Sequence, residues 1–428
     1  MAKSNCTARK QTRPGTWASS PGWATAGSNL LAHSQHAGLL AHLGRIGARL
    51  GTRTFLVGGP VRDLLLGRES PDLDVAVESH ARQFCNAVAL ELGGRSVYHS
   101  RFLSGTVSTP AGIRLDVNQT RTETYVRPAV LPTVKPAGIE ADLARRDFSI
   151  NAMALDITPS SFGCLLDPLD GSTDLAQRQI RILHGQSFQD DPTRVFRAIR
   201  FAVRLGFNIE AETLQLLRTA VQKKFLARLT PERVLYELRL VCREPLVLPM
   251  VESLVYEQVL HSTWGWTAPR QFLPGLGRLV QQGTAPDLLF IYWLSFLPVT
   301  RRFPIRREEQ EAAAWLNRFE PVRGALVRSH RASTIYRLLK PVPEPALRIL
   351  AALEPEPSAR RIRDYLERLA RVKTELTGKE LRQMGVEPGP HYRQLLDELL
   401  FARLDGRVQT RDDELSLCRR LLAHDHNI

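Results

Sequence analysis

The stretch that decides the fold is LVGGPVRDLLLGRESPDLD, which occupies residues 56–74. The apolar residues 55–57 predict a β-strand, the Gly-Gly pair interrupts it, and residues 61–66 predict a short helix. From residue 72 to residue 77, acidic or small residues alternate with Leu and Val, which is the period of a second strand. The stretch therefore predicts a strand, a tight turn, a helix and a strand in close succession.

Paired acidic residues stand at the beginning of the second predicted strand. Side chains of a strand alternate between its faces, so Asp72 and Asp74 share a face and lie about 7 Å apart. Paired carboxylates are oxygen ligands for hard divalent cations, and phosphoryl transfer uses such ions. Gly58 and Gly59 would let the backbone approach a phosphate closely, with Arg62 within reach. An isolated Asp-X-Asp is more often an exposed strand face, and an isolated Gly-Gly a turn, so the prediction depends on the joined pattern.

The composition is that of a globular protein with several domains. With 428 residues, of which 43% are hydrophobic and 24% charged, the chain has room for about two to four domains. It contains no run of about 20 uncharged apolar residues, which excludes a transmembrane helix. Five cysteines without a Cys-X-X-Cys pair argue against a disulfide framework and a cysteine zinc site, and they favour a cytoplasmic location.

The charge balance indicates either a polyanionic ligand or an arginine-rich genome. There are 58 Lys and Arg residues against 44 Asp and Glu residues, a formal net charge of +14. A positive field of this size attracts phosphate groups over long distances. Composition alone leaves both explanations open.

Hydrophobic periodicity divides the chain into a mixed part and a helical part. Residues 30–180 show both strand and helix patterns, and Leu115 and Val117 flank Asp116 in a further predicted strand. Beyond about residue 182 the strand pattern stops. Thr230-Pro231-Glu232 is a strong helix start, and Leu- and Arg-rich helical patterns continue to the end. The predicted fold class is an α/β head followed by all-helical domains.

Two further blocks add candidate nucleotide-binding residues. Residues 142–154 read DLARRDFSINAMA, in which Arg146 can fork onto a triphosphate. Residues 189–201 read QDDPTRVFRAIRF, in which Asp191 and Arg194 are three positions apart and would share a helix face. Such a pair is more often a surface ion pair. As a base reader, the carboxylate would accept from an exocyclic amine and the guanidinium would donate to ring or carbonyl acceptors.

Taken together, the three blocks resemble the class II tRNA nucleotidyltransferases and poly(A) polymerases, within the nucleotidyltransferase superfamily of polymerase-β type. The resemblance implies an α/β nucleotidyltransferase head, with a small mixed sheet and flanking helices, followed by all-α neck, body and tail domains. It also implies an Mg²⁺-dependent RNA nucleotidyltransferase. In such an enzyme Asp72 and Asp74 would hold two Mg²⁺ ions, and Asp116 would be a third catalytic carboxylate.

The resemblance further implies a set of nucleotide-binding residues. In this set Asp147 accepts from the sugar hydroxyl, and Asp191 and Arg194 read the base edge of CTP or ATP. Arg197 and Arg200 hold phosphates. The complete implied set is Gly58, Gly59, Arg62, Arg146, Asp147, Asn151, Asp191, Arg194, Arg197 and Arg200.

By resemblance the chain divides into five parts. They are a disordered basic extension at 1–28, the catalytic head at 29–182, a neck with the base-reading template helix at 183–245, a body at 246–372 and an RNA-binding tail at 373–428. The tail is expected because residues 376–390, LTGKELRQMGVEPGP, resemble the Gly- and Pro-rich tail segment of the family. The helical parts would hold the acceptor stem and elbow of tRNA through shape and phosphate contacts.

The implied reaction is the addition of all or part of the 3′-terminal CCA to tRNA from CTP or ATP, without a nucleic-acid template and with release of pyrophosphate. Full CCA-adding members carry an Asp-Arg-Arg-like run in a flexible loop after the third acidic strand. Residues 125–132 here read YVRPAVLP, which favours partial activity and, more specifically, the A step. A poly(A) polymerase is the alternative within this enzyme class, and a non-catalytic RNA-binding protein on the same scaffold is the alternative outside it.

Overall fold

The computed structural model describes residues 31, 34–70, 73–124, 129, 132–298, 303–384, 386 and 389–425. The predictions for the 1–28 extension, for Asp72 and for most of residues 125–132 lie outside the described residues. The chain folds as two compact units, the first ending at Arg228 and the second starting at Leu229. All three sequence blocks belong to the first unit.

The first unit contains both strands and helices, as the pattern of residues 30–180 predicts. Its strands are β1 (Thr54–Val57), β2 (Leu73–Val77), β3 (Arg95–His99), β4 (Ser104–Ser108), β5 (Arg114–Gln119), β6 (Arg121–Thr124), β7 (Thr133–Pro136), β8 (Ala154–Asp156), β9 (Leu165–Leu166), β10 (Gln179–Ile180) and β11 (Asn208–Ile209). Its α-helices are α1 (Ala37–Arg49), α2 (Gly59–Leu65), α3 (Ala81–Glu91), α4 (Ile139–Ala144), α5 (Gly171–Ala176), α6 (Ser187–Asp190), α7 (Thr193–Leu205) and α8 (Ala211–Gln222).

Seven of these strands form one mixed sheet in the order β3-β4-β5-β2-β1-β8-β9. Strand β1 lies between β2 and β8 and is antiparallel to both, whereas β2 and β5 pair in parallel. All residues of β1 are buried, and Phe55 and Val57 pack with Leu143 and Ala154 in one hydrophobic cluster. The expected mixed sheet with flanking helices is confirmed, and it places the acidic strands β2 and β5 side by side.

The prediction that strands stop at about residue 182 is wrong. Strand β11 pairs in parallel with β10, with Gln179 opposite Asn208 and Ile180 opposite Ile209. Strands of two residues are too short to show the alternation that predicts a strand. This small ladder joins the end of the head sequence to the segment that follows α7.

Helix α2 begins at the Gly-Gly turn, two residues earlier than the sequence predicts. Gly58 precedes the helix with a φ of 73°, in the left-handed region that favours glycine. Pro60 lies in the first turn, where its missing N–H has no intrahelical partner to lose. The turn and the proline together direct the helix away from β1, so that Arg62 and Asp63 are buried beside the sheet.

The second unit is helical throughout its described residues, as the Leu-rich patterns predict. Helix α9 begins at Pro231 with Thr230 as its N-cap residue, although the Thr230 side chain makes no capping hydrogen bond. The helices are α9 (Pro231–Cys242), α10 (Val247–Tyr256), α11 (Val259–Trp264), α12 (Phe272–Gln281), α13 (Pro286–Leu294), α14 (Arg307–Asn317), α15 (Glu320–Arg328), α16 (Ala332–Leu339), α17 (Glu344–Leu353), α18 (Ser358–Glu367), α19 (Gly378–Gln383), α20 (Pro390–Leu404) and α21 (Arg411–Asp425). Among the described residues, no helix has the length and apolar character needed to cross a membrane.

Candidate active site

A cavity of about 530 Å³ in the first unit brings the three sequence blocks together. Most of the residues predicted to bind nucleotide line it, whereas Asp116 and Arg200 do not, and Asp72 is not described. The lining consists of Val57, Gly58, Gly59, Pro60, Arg62, Asp63, Ser70, Asp74, Asn118, Arg121, Glu123, Arg145, Arg146, Asp147, Asn151, Asp191, Arg194, Arg197, Phe201 and Arg204. Arginines are the most frequent residues in this lining, so the cavity suits a polyanion.

Two of the predicted carboxylates stand side by side on neighbouring strands. Asp74 and Asp116 are paired residues of the parallel β2–β5 ladder, so their side chains point to the same face of the sheet. Thr106 Oγ1 on β4 donates to Asp116 Oδ1 at 2.6 Å and orients that carboxylate. Within the described residues no group of three His, Cys, Asp or Glu side chains is placed to hold a metal ion, and Asp72 lies outside them. The Asp74–Asp116 pair supplies the hard oxygen donors that Mg²⁺ prefers, so this site fits that ion.

Gly58 has a positive φ that favours glycine, and it lies directly against the guanidinium of Arg146. A Cβ atom at this position would lie 2.7 Å from Nη1 of Arg146, so a larger residue would displace the end of that side chain. The turn after β1 and the second block are therefore in direct contact. This contact explains why Gly58 and Arg146 line the same cavity.

Arg62 connects the first block to the second through buried hydrogen bonds. Its Nη1 donates to Asn151 Oδ1 at 2.7 Å. Its Nε donates to Asp63 Oδ1 at 2.9 Å, and its Nη2 donates to Asp63 Oδ2 at 3.0 Å. The guanidinium that the resemblance assigns to the triphosphate thus also holds Asn151 in place.

Asp142 pairs with two arginines of the cavity lining, a contact that sequence reasoning missed. Its carboxylate is fully buried and accepts from Arg145 Nη2 at 2.7 Å and from Arg146 Nη2 at 2.9 Å. Burial acts to raise the pKa of Asp142, but the positive charges of Arg146 and Arg145 outweigh it and hold the pKa below its ordinary value. The signal was present in the spacing, because the two arginines lie three and four positions after Asp142 on one helical turn.

Asp147 has a buried carboxylate whose two oxygens are both engaged. Oδ1 accepts from the backbone N–H of Phe148 at 2.9 Å and from Asn151 Nδ2 at 3.0 Å. Oδ2 accepts from Nε of Arg197 at 2.8 Å and also from Nη2 of Arg197. Burial acts to raise the pKa of Asp147, but the charge of Arg197 and these hydrogen bonds outweigh it and hold the pKa at about 2. A sugar hydroxyl that binds Asp147 must share or displace one of these donors.

The sequence predicts that Asp191 and Arg194 share a helix face, and this prediction is wrong because Asp191 lies before the helix. Asp191 has an extended backbone, with φ −133° and ψ 94°, because a residue before proline avoids the helical region. Its carboxylate accepts from the backbone N–H of Thr193 at 3.0 Å and from Thr193 Oγ1 at 2.7 Å. Asp191 therefore caps the start of α7 and reaches the cavity from the turn that precedes the helix.

Arg194 is held on both of its terminal nitrogens. Nη1 donates to Ser187 Oγ at 2.6 Å, and Nη2 donates to the backbone carbonyl of Arg145 at 2.9 Å. The Arg145 side chain in turn donates to Glu123 Oε1 at 2.6 Å, at the stem of the β6–β7 ribbon. Ser187, Arg145 and Glu123 were not predicted, because the contacts that join them span distant parts of the sequence.

Arg197 and Arg200 differ in their access to the cavity. Arg197 lines it and pairs with Asp147, whereas Arg200 is buried behind the lining. Three positions separate these residues, which is close to one helical turn but leaves their side chains pointing in somewhat different directions. A direct phosphate contact is therefore better placed at Arg197 than at Arg200.

Comparison with known proteins gives relatives over nearly the whole chain. A family model described as Poly A polymerase head domain matches residues 54–181. The A-adding tRNA nucleotidyltransferase of Halalkalibacterium halodurans is 35% identical over 403 residues, which are 91% of this chain and 94% of the relative. The CC-adding tRNA nucleotidyltransferase of Deinococcus radiodurans is 33% identical over 376 residues, which are 87% of this chain and 90% of the relative.

A solved structure resembles the chain over a similar span. The Thermotoga maritima CCA-adding enzyme complexed with tRNA superposes with a TM-score of 0.70 at 29% identity, covering 92% of this chain and 98% of that chain. The resemblance inferred from the three sequence blocks is therefore confirmed. With a relative that is 35% identical and covered almost end to end, the chain belongs to the tRNA nucleotidyltransferase family.

Proposed function

We propose that this tRNA nucleotidyltransferase adds the terminal adenylate to tRNA whose 3′ end is CC. The chain acts on the 3′-terminal CCA of tRNA, in whole or in part, with CTP or ATP as its other substrate. The observation that supports a single nucleotide is that both base-reading side chains are held. Thr193 holds Asp191, and Ser187 and the Arg145 carbonyl hold Arg194. A switch from CTP to ATP would require both side chains to move, so their fixed positions favour one base.

The choice of the A step has separate support. Residues 125–132 lack an Asp-Arg-Arg-like run, and the relative from H. halodurans is A-adding. The same two side chains limit the choice to ATP and CTP, because Asp191 can accept from the exocyclic amine of adenine or cytosine and Arg194 can donate to a ring nitrogen of either base. UTP and GTP place a carbonyl oxygen where that amine would be, and a carboxylate repels it.

In the proposed reaction the 3′-hydroxyl oxygen of tRNA attacks the α-phosphorus of ATP. The α–β phosphoanhydride bond breaks, pyrophosphate leaves with the bonding electron pair, and the hydroxyl proton is released. Arg146 beside Gly58 and Arg197 beside Asp147 line the cavity and would bind the triphosphate. We assign two Mg²⁺ ions to Asp72, Asp74 and Asp116, where bound ions would stabilise charge on the attacking and leaving oxygens.

The division into domains, their contacts with tRNA and the cellular location are also proposals. We propose a head at 29–182, a neck at 183–245, a body at 246–372 and an RNA-binding tail at 373–428, which together bind the acceptor stem and elbow of tRNA. We also propose a cytoplasmic location, because the described cysteines Cys85, Cys164, Cys242 and Cys418 are all free, as in a reducing compartment.

The test is an extension assay with purified protein, Mg²⁺ and one labelled nucleotide at a time. The acceptors are tRNA ending in the discriminator base, tRNA ending in C, tRNA ending in CC and an unstructured RNA. We expect one AMP to be added to tRNA ending in CC, and no CMP to be added to any acceptor. The Asp74→Ala variant should lose several powers of ten in rate, because it removes a metal ligand, and should bind tRNA as wild type does.

The other outcomes assign the enzyme differently. Efficient addition of all three nucleotides by the wild-type protein would contradict the partial-activity proposal and indicate full CCA addition. Addition of CMP alone would indicate the CC-adding activity of the D. radiodurans relative. Long adenylate tails on the unstructured RNA would indicate a poly(A) polymerase, and near-normal turnover by Asp74→Ala would remove the metal assignment.

A further inference from the structure

One aromatic ring in the cavity wall contacts three guanidinium groups. Phe201 lies near the end of α7, is 7% exposed and lines the cavity. The guanidinium carbons of Arg62, Arg197 and Arg200 lie 5.3, 5.4 and 5.7 Å from the centroid of its ring. All three distances are within the range of about 6 Å in which an aromatic ring attracts a cation.

The three arginines come from two separate parts of the site. Arg62 belongs to α2, directly after the Gly-Gly turn, whereas Arg197 and Arg200 belong to α7. Their positive charges repel one another, and the repulsion is strengthened because Arg62 and Arg200 are buried away from water. Arg62 pairs with Asp63 and Arg197 pairs with Asp147, which reduces the repulsion but also the charge available to a ligand.

The ring of Phe201 attracts the cations without adding negative charge. Its negative face attracts each guanidinium, so the cluster is stabilised while it stays positive toward the cavity. The ring is itself fixed, because Phe148 meets it edge to face, with centroids 5.9 Å apart and planes at 84°. Because the ring is fixed, Arg62 of α2 and the two arginines of α7 are held beside the same point of the cavity wall.

We propose that Phe201 is a positioning residue for the triphosphate of the incoming nucleotide. Its ring holds Arg62 of α2 and Arg197 of α7 in position at the cavity wall, where they would act on the phosphates, and the buried Arg200 adds positive charge behind them. The inference rests on the proposed function, because it takes the cavity to be the nucleotide site. Because Arg197 also pairs with Asp147, a probe that has neither base nor sugar is needed to measure the phosphate contact alone.

The test measures phosphate binding and catalysis separately in the full-length protein. Binding of inorganic tripolyphosphate at constant Mg²⁺ is compared between wild type, Phe201→Leu and Phe201→Tyr. Leucine keeps the apolar bulk without an aromatic face, and tyrosine keeps the face. We expect Phe201→Leu to bind tripolyphosphate on the order of tenfold more weakly and to raise the KM for ATP by a similar factor, with kcat within about threefold of wild type. Phe201→Tyr should restore both values.

Phe207→Leu is the matched control, since Phe207 is also buried, lies two residues after the end of α7 and has no guanidinium over its ring in the part of the chain described. Unchanged tripolyphosphate binding in Phe201→Leu would overturn the proposal, as would an equal loss in Phe207→Leu, which would indicate general loosening. Failure of the proposed function would look different. Wild type would then not add a single AMP to tRNA ending in CC, while the binding comparison would still decide the role of the ring.

Discussion

At the scale of single residues, Asp147 links two sequence blocks through one carboxylate. It accepts from Phe148 and Asn151 of its own block and from Arg197 of α7. The Asp147→Asn substitution keeps the shape but removes the charge that pairs with Arg197. We expect it to lower the free energy of unfolding by about 2 kcal/mol at pH 7, measured by chemical denaturation.

The pH dependence of this loss has a definite sign. The pKa of Asp147 is about 2 in the folded protein, against about 3.9 for an aspartate in an unfolded chain. A depressed pKa in the folded state stabilises the protein fully above the unfolded value, and that stabilisation disappears as the pH falls through the folded value. The difference between wild type and Asp147→Asn should therefore be constant from about pH 5 to 7 and shrink from about pH 4 to pH 2.

Glu311→Gln is the control for this measurement, because Glu311 lies on the exposed side of α14 and its substitution should leave stability nearly unchanged. A difference between wild type and Asp147→Asn that stays constant down to pH 2 would show that Asp147 does not carry its charge into the acid range, against the depressed pKa.

At the scale of elements, mutation can separate the contact that Asp191 makes at the start of helix α7 from the base-reading role proposed for it. Its carboxylate caps the helix through Thr193, and the same carboxylate faces the cavity. Asp191→Asn keeps an oxygen for the cap but offers an amide N–H₂ that can donate to a carbonyl. Asp191→Ala removes both functions.

We expect Asp191→Asn to change stability by a few tenths of a kcal/mol and to relax discrimination against GTP, whose carbonyl can now accept a hydrogen bond. Asp191→Ala should cost about 1 kcal/mol of stability, which is typical for loss of an N-cap. Thermal unfolding and kcat/KM for ATP and GTP measure the two effects. If the Asn variant remained as selective as wild type, the base-reading role would belong to Arg194 and not to Asp191.

Elements were predictable from the sequence where the signal is local. Strand β2 and helix α2 follow from alternation and from the Gly-Gly-Pro turn, because each signal lies within a few residues. The start of α7 was misplaced because a helical spacing of three residues was read through Pro192, which excludes the preceding residue from the helix. Strands β10 and β11 were missed because two residues carry no period.

At the scale of the whole molecule, the sequence predicted which blocks form the site but not how they are joined. The blocks contain their own signatures, so Asp74, Arg146 and Arg194 could be proposed without a structure. The hydrogen bond from Arg62 to Asn151 spans 89 positions, and no local pattern contains such a contact. The cluster of three guanidinium groups around Phe201 could not be predicted for the same reason, because Arg62 of α2 is distant in sequence from the residues of α7.

The charge of the chain is also a property of the whole molecule, and it offers a test of the proposal that residues 373–428 form an RNA-binding tail. The excess of 58 basic over 44 acidic residues reflects either composition alone or a surface for tRNA phosphates. A phosphate surface releases counterions on binding, so the affinity for tRNA should fall steeply with salt. Basic residues that are spread and paired within the protein would give a shallow dependence.

We expect the Kd for tRNA to rise at least a hundredfold between about 50 and 200 mM salt, which corresponds to several neutralised phosphates. Arg393, which is exposed on α20 in the predicted tail, is the residue to change, because Arg393→Gln should reduce the slope of log Kd against log salt by about one if it contacts a phosphate. Arg348 on α17 is the matched control, since it is similarly exposed but pairs with Glu344 at 2.7 Å, so Arg348→Gln should leave the slope unchanged. The measurement is equilibrium tRNA binding at a series of salt concentrations, in the absence of nucleotide.

Equal slopes for both variants and wild type would remove Arg393 from the RNA-binding surface. A slope near zero for wild type would assign the positive charge to composition and place tRNA recognition in contacts other than phosphate pairing.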